Sequence, residues 1–296
     1  MRFAVMIEGQ EGVGWDDWLA LAETCERTGI EALFRSDHYL SVEQGHDLGA
    51  LDAWGTICGL AAVTEKLRLG TLVSPATFRH PSNLAKLAVT ADHISGGRIA
   101  LGLGTGWHDA EHRAYGFPDP SFGRLAEQVE VVHGILSPGP FSFSGEHYQL
   151  EELEAQPEPV QSPIPLILGG AAKKRGAALA ARYAAEYNVV HATPEEAGAA
   201  RGRVRAACEA AGRDPDSITF SLMHGLALGA DAAQAEDRAR RLGGAEGWLR
   251  GTPEQVVERL REYEAVGVER VFVQHLLFRE LDVIELLAAE VVPALS

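Results

Sequence analysis

The chain has 296 residues, 46% of them hydrophobic and 23% charged, enough length to bury about three quarters of the surface its unfolded form exposes. Forty-two acidic against 26 basic residues leave a formal charge of −16, which argues against nucleic acid or an anionic membrane as partner and obliges any anionic ligand to find a local basic patch. Cys25, Cys58 and Cys208 lie far apart in helical stretches without metal-ligand spacing, so they read as reduced core thiols and point to a cytoplasmic protein. No basic region followed by a signal-length apolar run opens the chain, and nothing later approaches about 18 uninterrupted apolar residues, so neither export nor a membrane span is expected.

Strand-like and helix-like stretches alternate throughout. A strand at about 2–8 precedes a helix at 15–29, whose apolar Trp18, Leu19, Leu21, Ala22 and Cys25 recur at helical spacing and which stops at Gly29. Strand 32–37 and a helix around 50–64 follow, then strand 67–74 and a helix at 81–94 opened by Pro81. Strand 98–105 leads to a helix at about 122–136. Between 137 and 163 the alternation breaks into Ser-Pro-Gly-Pro, a hairpin across Phe141–Tyr148 and the proline-spaced Gln156–Pro159, an insertion too rigid and aromatic for a free linker. It resumes with strand 165–168, helix 173–184, strand 187–191, helix 194–211, strand 217–228, helical segments across 231–266, strand 268–275 and a last helix at 281–295. Eight strands with eight or more helices and no linker predict one (β/α)8 TIM barrel over 1–296, with an insertion after the fourth βα unit and a doubly wound sheet of similar size as the competing fold.

The most informative stretch is Ser95–Trp107, an apolar strand running into a glycine-stripped bend that ends on an indole ring. Alternate glycines remove side chains from one strand face and let a flat or anionic group lie against main-chain N–H groups, which makes Gly104, Thr105, Gly106 and Trp107 candidates for holding a cofactor. A dinucleotide fingerprint fails, because Trp107 stands where its third glycine belongs and Glu127 and Gln128 fall inside a helical stretch.

Barrel active sites lie at the C-terminal strand ends. Here those ends read Arg35-Ser36-Asp37-His38-Tyr39, Thr71-Leu72-Val73-Ser74-Pro75 continuing through Thr77-Phe78-Arg79-His80-Pro81, Gly104-Thr105-Gly106-Trp107-His108, and Gly169-Gly170-Ala171-Ala172-Lys173-Lys174-Arg175. With Asp92-His93-Ile94-Ser95-Gly96-Gly97-Arg98 added, the set resembles the bacterial luciferase-like superfamily of flavin- and deazaflavin-dependent oxidoreductases over nearly the whole chain. The run Gly106–Pro118, with Glu111, Ala114, Tyr115, Gly116 and Phe117, is similar to the branch associated with coenzyme F-420, an 8-hydroxy-5-deazaflavin.

The resemblance implies a tricyclic ring across the barrel mouth, backed by a bulge at Leu72, Val73 and Ser74 whose peptide is often a non-prolyl cis bond in this family. It also implies a phosphate-bearing tail, for which Gly169, Gly170, Ala171 and Ala172 would present free backbone N–H groups at a positive helix end, with Lys173, Lys174 and Arg175 adding charge. His38 is the candidate for proton transfer and Asp37 beside it the acid that orients it or bonds cofactor or substrate. Trp107 replaces the catalytic Glu of the deazaflavin glucose-6-phosphate dehydrogenases, which points away from a sugar phosphate toward a more apolar substrate.

His108 and His112 sit four apart near Asp109 and Glu111, yet no third ligand is evident and the turn reads as exposed and polar, so no metal is expected. The activity expected is hydride transfer between F-420 and a small organic substrate. An FMN-dependent monooxygenase fed by a separate flavin reductase is the alternative within the fold, and a non-catalytic flavin-binding barrel the alternative of another class. The family commonly forms homodimers, and the helix at 50–64, with Ala53, Trp54, Ile57, Cys58, Leu60 and Ala61, is apolar enough for burial on more than one side. Substrate choice is expected to depend on loops at 40–49, 107–120 and 229–250.

Overall fold

A computed structural model describes residues 1–42, 48–244 and 246–295; residues 43–47 and 245, inside two of the loops expected to shape the substrate pocket, lie outside the described residues. The elements in chain order are β1 (Arg2–Ile7), α1 (Trp15–Thr28), β2 (Ala32–Arg35), α2 (Ala53–Val63), β3 (Arg68–Pro75), α3 (Pro81–Ser95), β4 (Ile99–Gly104), α4 (Asp109–Tyr115) and α5 (Phe122–Leu136). They continue with β5 (Phe141–Ser144), β6 (Gln149–Leu153), β7 (Leu166–Gly169), α6 (Lys174–Tyr183), β8 (Glu186–Val190), α7 (Pro194–Ala210), β9 (Thr219–Leu228), α8 (Ala232–Arg241), β10 (Leu249–Gly251), α9 (Pro253–Ala265), β11 (Arg270–Gln274) and α10 (Asp282–Leu286).

Strand neighbours run β1-β2-β3-β4-β7-β8-β9-β11, and β11 pairs in parallel with β1. Eight parallel strands with helices between them make the (β/α)8 barrel that the alternation predicts. The strands read as continuous apolar runs because both faces are covered: Phe3 to Ile7 of β1 and Ile99 to Leu103 of β4 are all buried. Helix ends follow local chemistry. Pro81 opens α3 beneath a His80 cap and Gly96 closes it at φ 66°, while Thr193 and Glu196 form a capping box on α7.

Three readings of the chain need correction. The stretch 107–120 holds a helix, α4, rather than a loop, and its buried residues are Glu111 and His112, so no apolar periodicity betrays it. The helical segments expected across 231–266 are interrupted by β10, three residues that add in parallel to β9. The last helix is regular only to Leu286 and continues as a π-helical turn at Leu287–Val291 and a 3₁₀ turn at Val292–Leu295.

Contacts divide the chain into two compact units. One comprises Met1–Glu8, Asp16–Phe34 and Gly169–Ser296; the other comprises Gly9–Trp15 and Arg35–Leu168. In the second unit the hairpin β5–β6 is tied down by Glu127 of α5, whose carboxylate accepts from the Glu146, His147 and Tyr148 N–H groups at 2.8, 2.9 and 3.2 Å. Asp92 of α3 holds Gln161 through two bonds, backbone N–H at 2.9 Å and side-chain amide at 2.7 Å. Arg98 spreads its guanidinium over the carbonyls of Ala61, Thr64, Leu67 and Ser95, satisfying the ends of α2 and α3 where their last carbonyls lack helical partners. Much of the Asp92–Arg98 motif therefore braces the scaffold. Among the described residues the three cysteines form no disulfide, and Cys58 is only half-buried, whereas Cys25 and Cys208 lie in the core. No helix among them is long and apolar enough to cross a membrane.

Candidate active site

Every strand-end residue expected from β2, β3 and β4 lies in the unit containing Arg35–Leu168. The Leu72–Val73 peptide is cis, and the β3–β4 register shifts between Thr71 and Ser74, which forms the bulge implied by the resemblance. The bulge also explains the glycines of β4. A Cβ on Gly104 would collide with Val73 Cγ2, and one on Gly102 would overlap the Thr71 carbonyl and come within 2.9 Å of Val73 Cγ1. The clearance read as ligand space is thus occupied by the bulged strand. Gly106 has its own reason: φ is 84°, and a Cβ would press on Thr77 and His112 at 3.0 and 3.1 Å.

Leu72 and Ser74 are buried and Val73 half-buried. The Ser74 hydroxyl is committed inside the protein: it donates to Asp37 Oδ2 at 2.7 Å and accepts from Trp54 Nε1 at 3.1 Å. Asp37, 1% exposed, also receives Arg79 Nη1 on Oδ2 at 2.6 Å, while its Oδ1 is buried and has no hydrogen-bond partner among the described residues. Arg79 reaches on to Asp52 at 2.6 Å and to the Tyr39 hydroxyl at 2.8 Å. Burial works against the charge on Arg79, but Asp37, Tyr39 and Asp52 outweigh it and hold the guanidinium cationic. Burial also raises the Tyr39 phenol, keeping it a neutral donor to Asp52 at 3.0 Å.

His38 is not oriented by Asp37, contrary to the expectation from their adjacency. Neighbours along a strand end point apart, and Asp37 is spent on Ser74 and Arg79. The imidazole Nδ1 instead lies 2.8 Å from Glu111 Oε2, on α4. Glu111 and His112, expected on an exposed polar turn, are 0% and 4% exposed; His112 is fixed by Thr77 Oγ1 at 2.8 Å and the His108 carbonyl at 2.9 Å. Among the described residues no cluster of His, Cys, Asp or Glu could hold a metal ion.

The rim is aromatic. Tyr39, Phe78, Tyr115 and Phe117 stack with centroids between 4.5 and 5.5 Å along the contacts Tyr39–Phe78, Tyr39–Tyr115, Phe78–Phe117 and Tyr115–Phe117. Trp107 is 61% exposed and meets the His38 ring edge-on at 5.6 Å. Gly104 and Thr105 are half-buried beside it. Spacing along the chain does not single out Arg79 or Tyr39 as site residues, and it offers Glu111 only as a reserve for proton transfer, not as the partner of His38. The motif containing Glu111 was visible, but which side chain a buried carboxylate serves is not encoded in spacing.

The Gly169–Lys173 turn belongs to the other unit. Its backbone donors are less free than expected: Gly170 N–H donates to Asn188 O at 3.0 Å and Ala172 N–H to the Tyr187 hydroxyl at 2.9 Å. Gly170 and Ala172 have φ of 124° and 49°, and Arg203 grips the Ala171 and Ala172 carbonyls at 3.0 and 3.1 Å. Lys173 is the exposed N-cap of α6 and provides no side-chain cap, and the first turn of α6 carries no acid. The donors available to an anion are therefore those of the helix's first turn, whose N–H groups lack intrahelical acceptors.

A family model described as luciferase-like monooxygenase matches residues 1–247. The pyrimidine monooxygenase RutA of Stutzerimonas stutzeri (strain A1501) is 35% identical over 183 residues, 58% of this chain and 50% of the relative. The FMNH(2)-dependent dimethylsulfone monooxygenase of Pseudomonas putida is 25% identical over 306 residues, covering 88% of this chain and 83% of that protein. The coenzyme F420 dependent tetrahydromethanopterin reductase of Methanopyrus kandleri shares the fold at TM-score 0.84 and 21% identity, over 100% of this chain and 99% of that one. The chain spans about half the length of the curated pyrimidine monooxygenases it matches. With the family model extending over 247 of 296 residues, the bulge in β3 and the barrel order of the strands, the chain belongs to the luciferase-like monooxygenase family.

Proposed function

We propose that the protein is an oxidoreductase that uses coenzyme F-420 to pass hydride to or from a small organic substrate, with His38 moving the matching proton. The observation that carries the reading is Asp37, whose Oδ1 is buried without a partner among the described residues, next to His38 and the bulge of β3. A buried carboxylate oxygen left unpaired is costly, and an N–H or O–H of a bound ring would satisfy it. When bound, the coenzyme supplies a two-electron hydride. In the unit containing Arg35–Leu168, Asp37 would hold the ring's polar edge and Val73 and Leu72 would back its face; the first turn of α6 with Lys173, in the other unit, is by itself suited to a phosphate. His38 gives a proton to the substrate heteroatom as hydride arrives at carbon, or takes it in the reverse direction. The aromatic rim favours an apolar substrate.

A second reading is an FMN-dependent monooxygenase receiving reduced flavin from a separate reductase. It is supported by the pyrimidine monooxygenase and the FMNH(2)-dependent relative, the latter matching 88% of the chain. Titrating purified protein with F-420 and with FMN separates the two. Tighter F-420 binding without oxygen uptake supports the first; FMN binding with reductase-dependent oxygen uptake replaces it with the second. His38→Ala is expected to lower kcat by about 10²–10⁴-fold at nearly unchanged cofactor affinity. Association through α2, where Val63 is 59% exposed, is proposed to give a homodimer, which light scattering tests against the 31.8 kDa chain mass.

A further inference from the structure

We infer that Glu111 is the positioning residue for His38: it grips Nδ1, decides which ring nitrogen carries the hydrogen, and leaves proton exchange with the substrate to Nε2. The inference deepens the functional reading above and rests on His38 being the proton-transferring group.

Glu111 sits on a seven-residue helix, fully buried, and both carboxylate oxygens are turned toward the segment that carries His38. Oε1 accepts from the backbone N–H groups of Tyr39 and of Leu40, the latter at 3.1 Å, while Oε2 lies 2.8 Å from His38 Nδ1. One carboxylate thus fixes three consecutive residues. An ionised carboxylate only accepts, so Nδ1 must be the protonated nitrogen of the neutral ring. The ionised state is secured. Burial pushes the Glu111 carboxyl upward, but the bonds and charge of His38 and the two backbone donors more than offset it, so it stays below the usual range.

Several described groups near His38 have partners of their own. Asp37 serves Ser74 and Arg79. His112 donates from Nδ1 to the His108 carbonyl and accepts the Thr77 hydroxyl on Nε2, so both its nitrogens are occupied. His108 and Trp107 face His38 through ring contacts, at 6.1 and 5.6 Å. Glu111 is the carboxylate that, among the described residues, lies within hydrogen-bond distance of Nδ1. Its position on α4, directly after the Gly106–His108 turn, also couples the ring to the part of the rim that carries Trp107.

A purely structural Glu111 would tie the loop and be indifferent to the ring's tautomer. Glu111→Gln separates the two roles. Two backbone donors face Oε1 and only one ring nitrogen faces Oε2, so the amide oxygen stays with Tyr39 and Leu40 and the amide NH2 turns to His38. It can only donate, which forces Nδ1 to accept and moves the ring hydrogen to Nε2. The full-length protein, labelled with 15N-histidine and free of cofactor and substrate, is to be compared with this variant by two-bond 1H–15N spectra over a pH series. Expected are an Nδ1–H ring in the wild type, an Nε2–H ring in Glu111→Gln, and a proton affinity of His38 lower by about tenfold or more in the variant. A wild-type ring protonated on Nε2 overturns the inference whether or not the variant folds, as does a folded variant with unchanged tautomer and titration. The expected spectra combined with undiminished turnover of His38→Ala overturn the functional reading instead.

Discussion

Gly104→Ala probes how the bulge of β3 is accommodated. The added methyl would collide with Val73 Cγ2, and the Val73 Cβ lies only 3.6 Å away, so a β-branched side chain with one favoured rotamer must shift. Overpacking of this kind costs about 1–3 kcal/mol, and the reduced freedom of the unfolded chain returns about 0.4–1 kcal/mol, because Gly104 does not occupy left-handed backbone space. The net expectation is a loss of about 1–2 kcal/mol for Gly104→Ala alone. In a Val73→Ala background the colliding atom is gone, and the same substitution is expected to be neutral or slightly stabilising. A coupling of about 1–3 kcal/mol, the overpacking cost alone, should therefore emerge from the four-protein cycle, read from urea midpoints at constant slope. Gly102→Ala serves as the control: its methyl overlaps the Thr71 carbonyl, a main-chain atom, so Val73→Ala should not rescue it. Equal costs for Gly104→Ala in the two backgrounds would refute the assignment of the β4 glycines to the bulge.

The tail site can be tested at Gly176, where a Cβ would meet the Tyr187 hydroxyl at an ordinary 3.6 Å. Gly176→Asp places a carboxylate in the first turn of α6, so melting temperature should hold or rise while F-420 or FMN affinity falls by more than tenfold; calorimetric titration showing unchanged affinity would move the phosphate elsewhere. Acid stability follows from two histidines that burial pushes down to about 4, His224 and His275. The unfolded chain, with ordinary values of about 6.5, takes up protons first, so stability is complete above about pH 6.5 and drains away as pH falls toward 4. His224→Phe should flatten that slope in urea titrations between pH 7 and about 4.5, and an unaltered slope would assign the acid sensitivity to other groups.

The barrel was legible because alternating apolar strands and capped helices are local signals repeated eight times, and Pro81, Gly96 and Thr193 mark boundaries by chemistry that needs no tertiary information. Strand-end residues could be placed for the same reason, since the barrel dictates where they emerge. What escaped were pairings. The buried face of α4 is Glu111 and His112, polar groups that form a core face only because His38 and Thr77 meet them. Asp37 looked like the partner of its sequence neighbour, although its oxygen is engaged by Arg79, forty-two positions away. The glycines of β4 were read as space for a ligand because the colliding atoms belong to another strand. The Gly169–Ala172 turn looked rich in free donors because the acceptors that occupy it, Asn188 O and the Tyr187 hydroxyl, arrive from β8.

Trp107 stands apart from this web of commitments. Its indole is 61% exposed, hangs from the turn after β4, and touches the site through ring contacts with His38 and His108 rather than through hydrogen bonds that hold the barrel together. Folding consequently tolerates change at this position: exposed substitutions usually shift stability by no more than about 0.5 kcal/mol, so the ring can be exchanged for another shape without endangering the scaffold. A lineage can therefore change the shape presented beside His38 while the Glu111–His38 contact is kept.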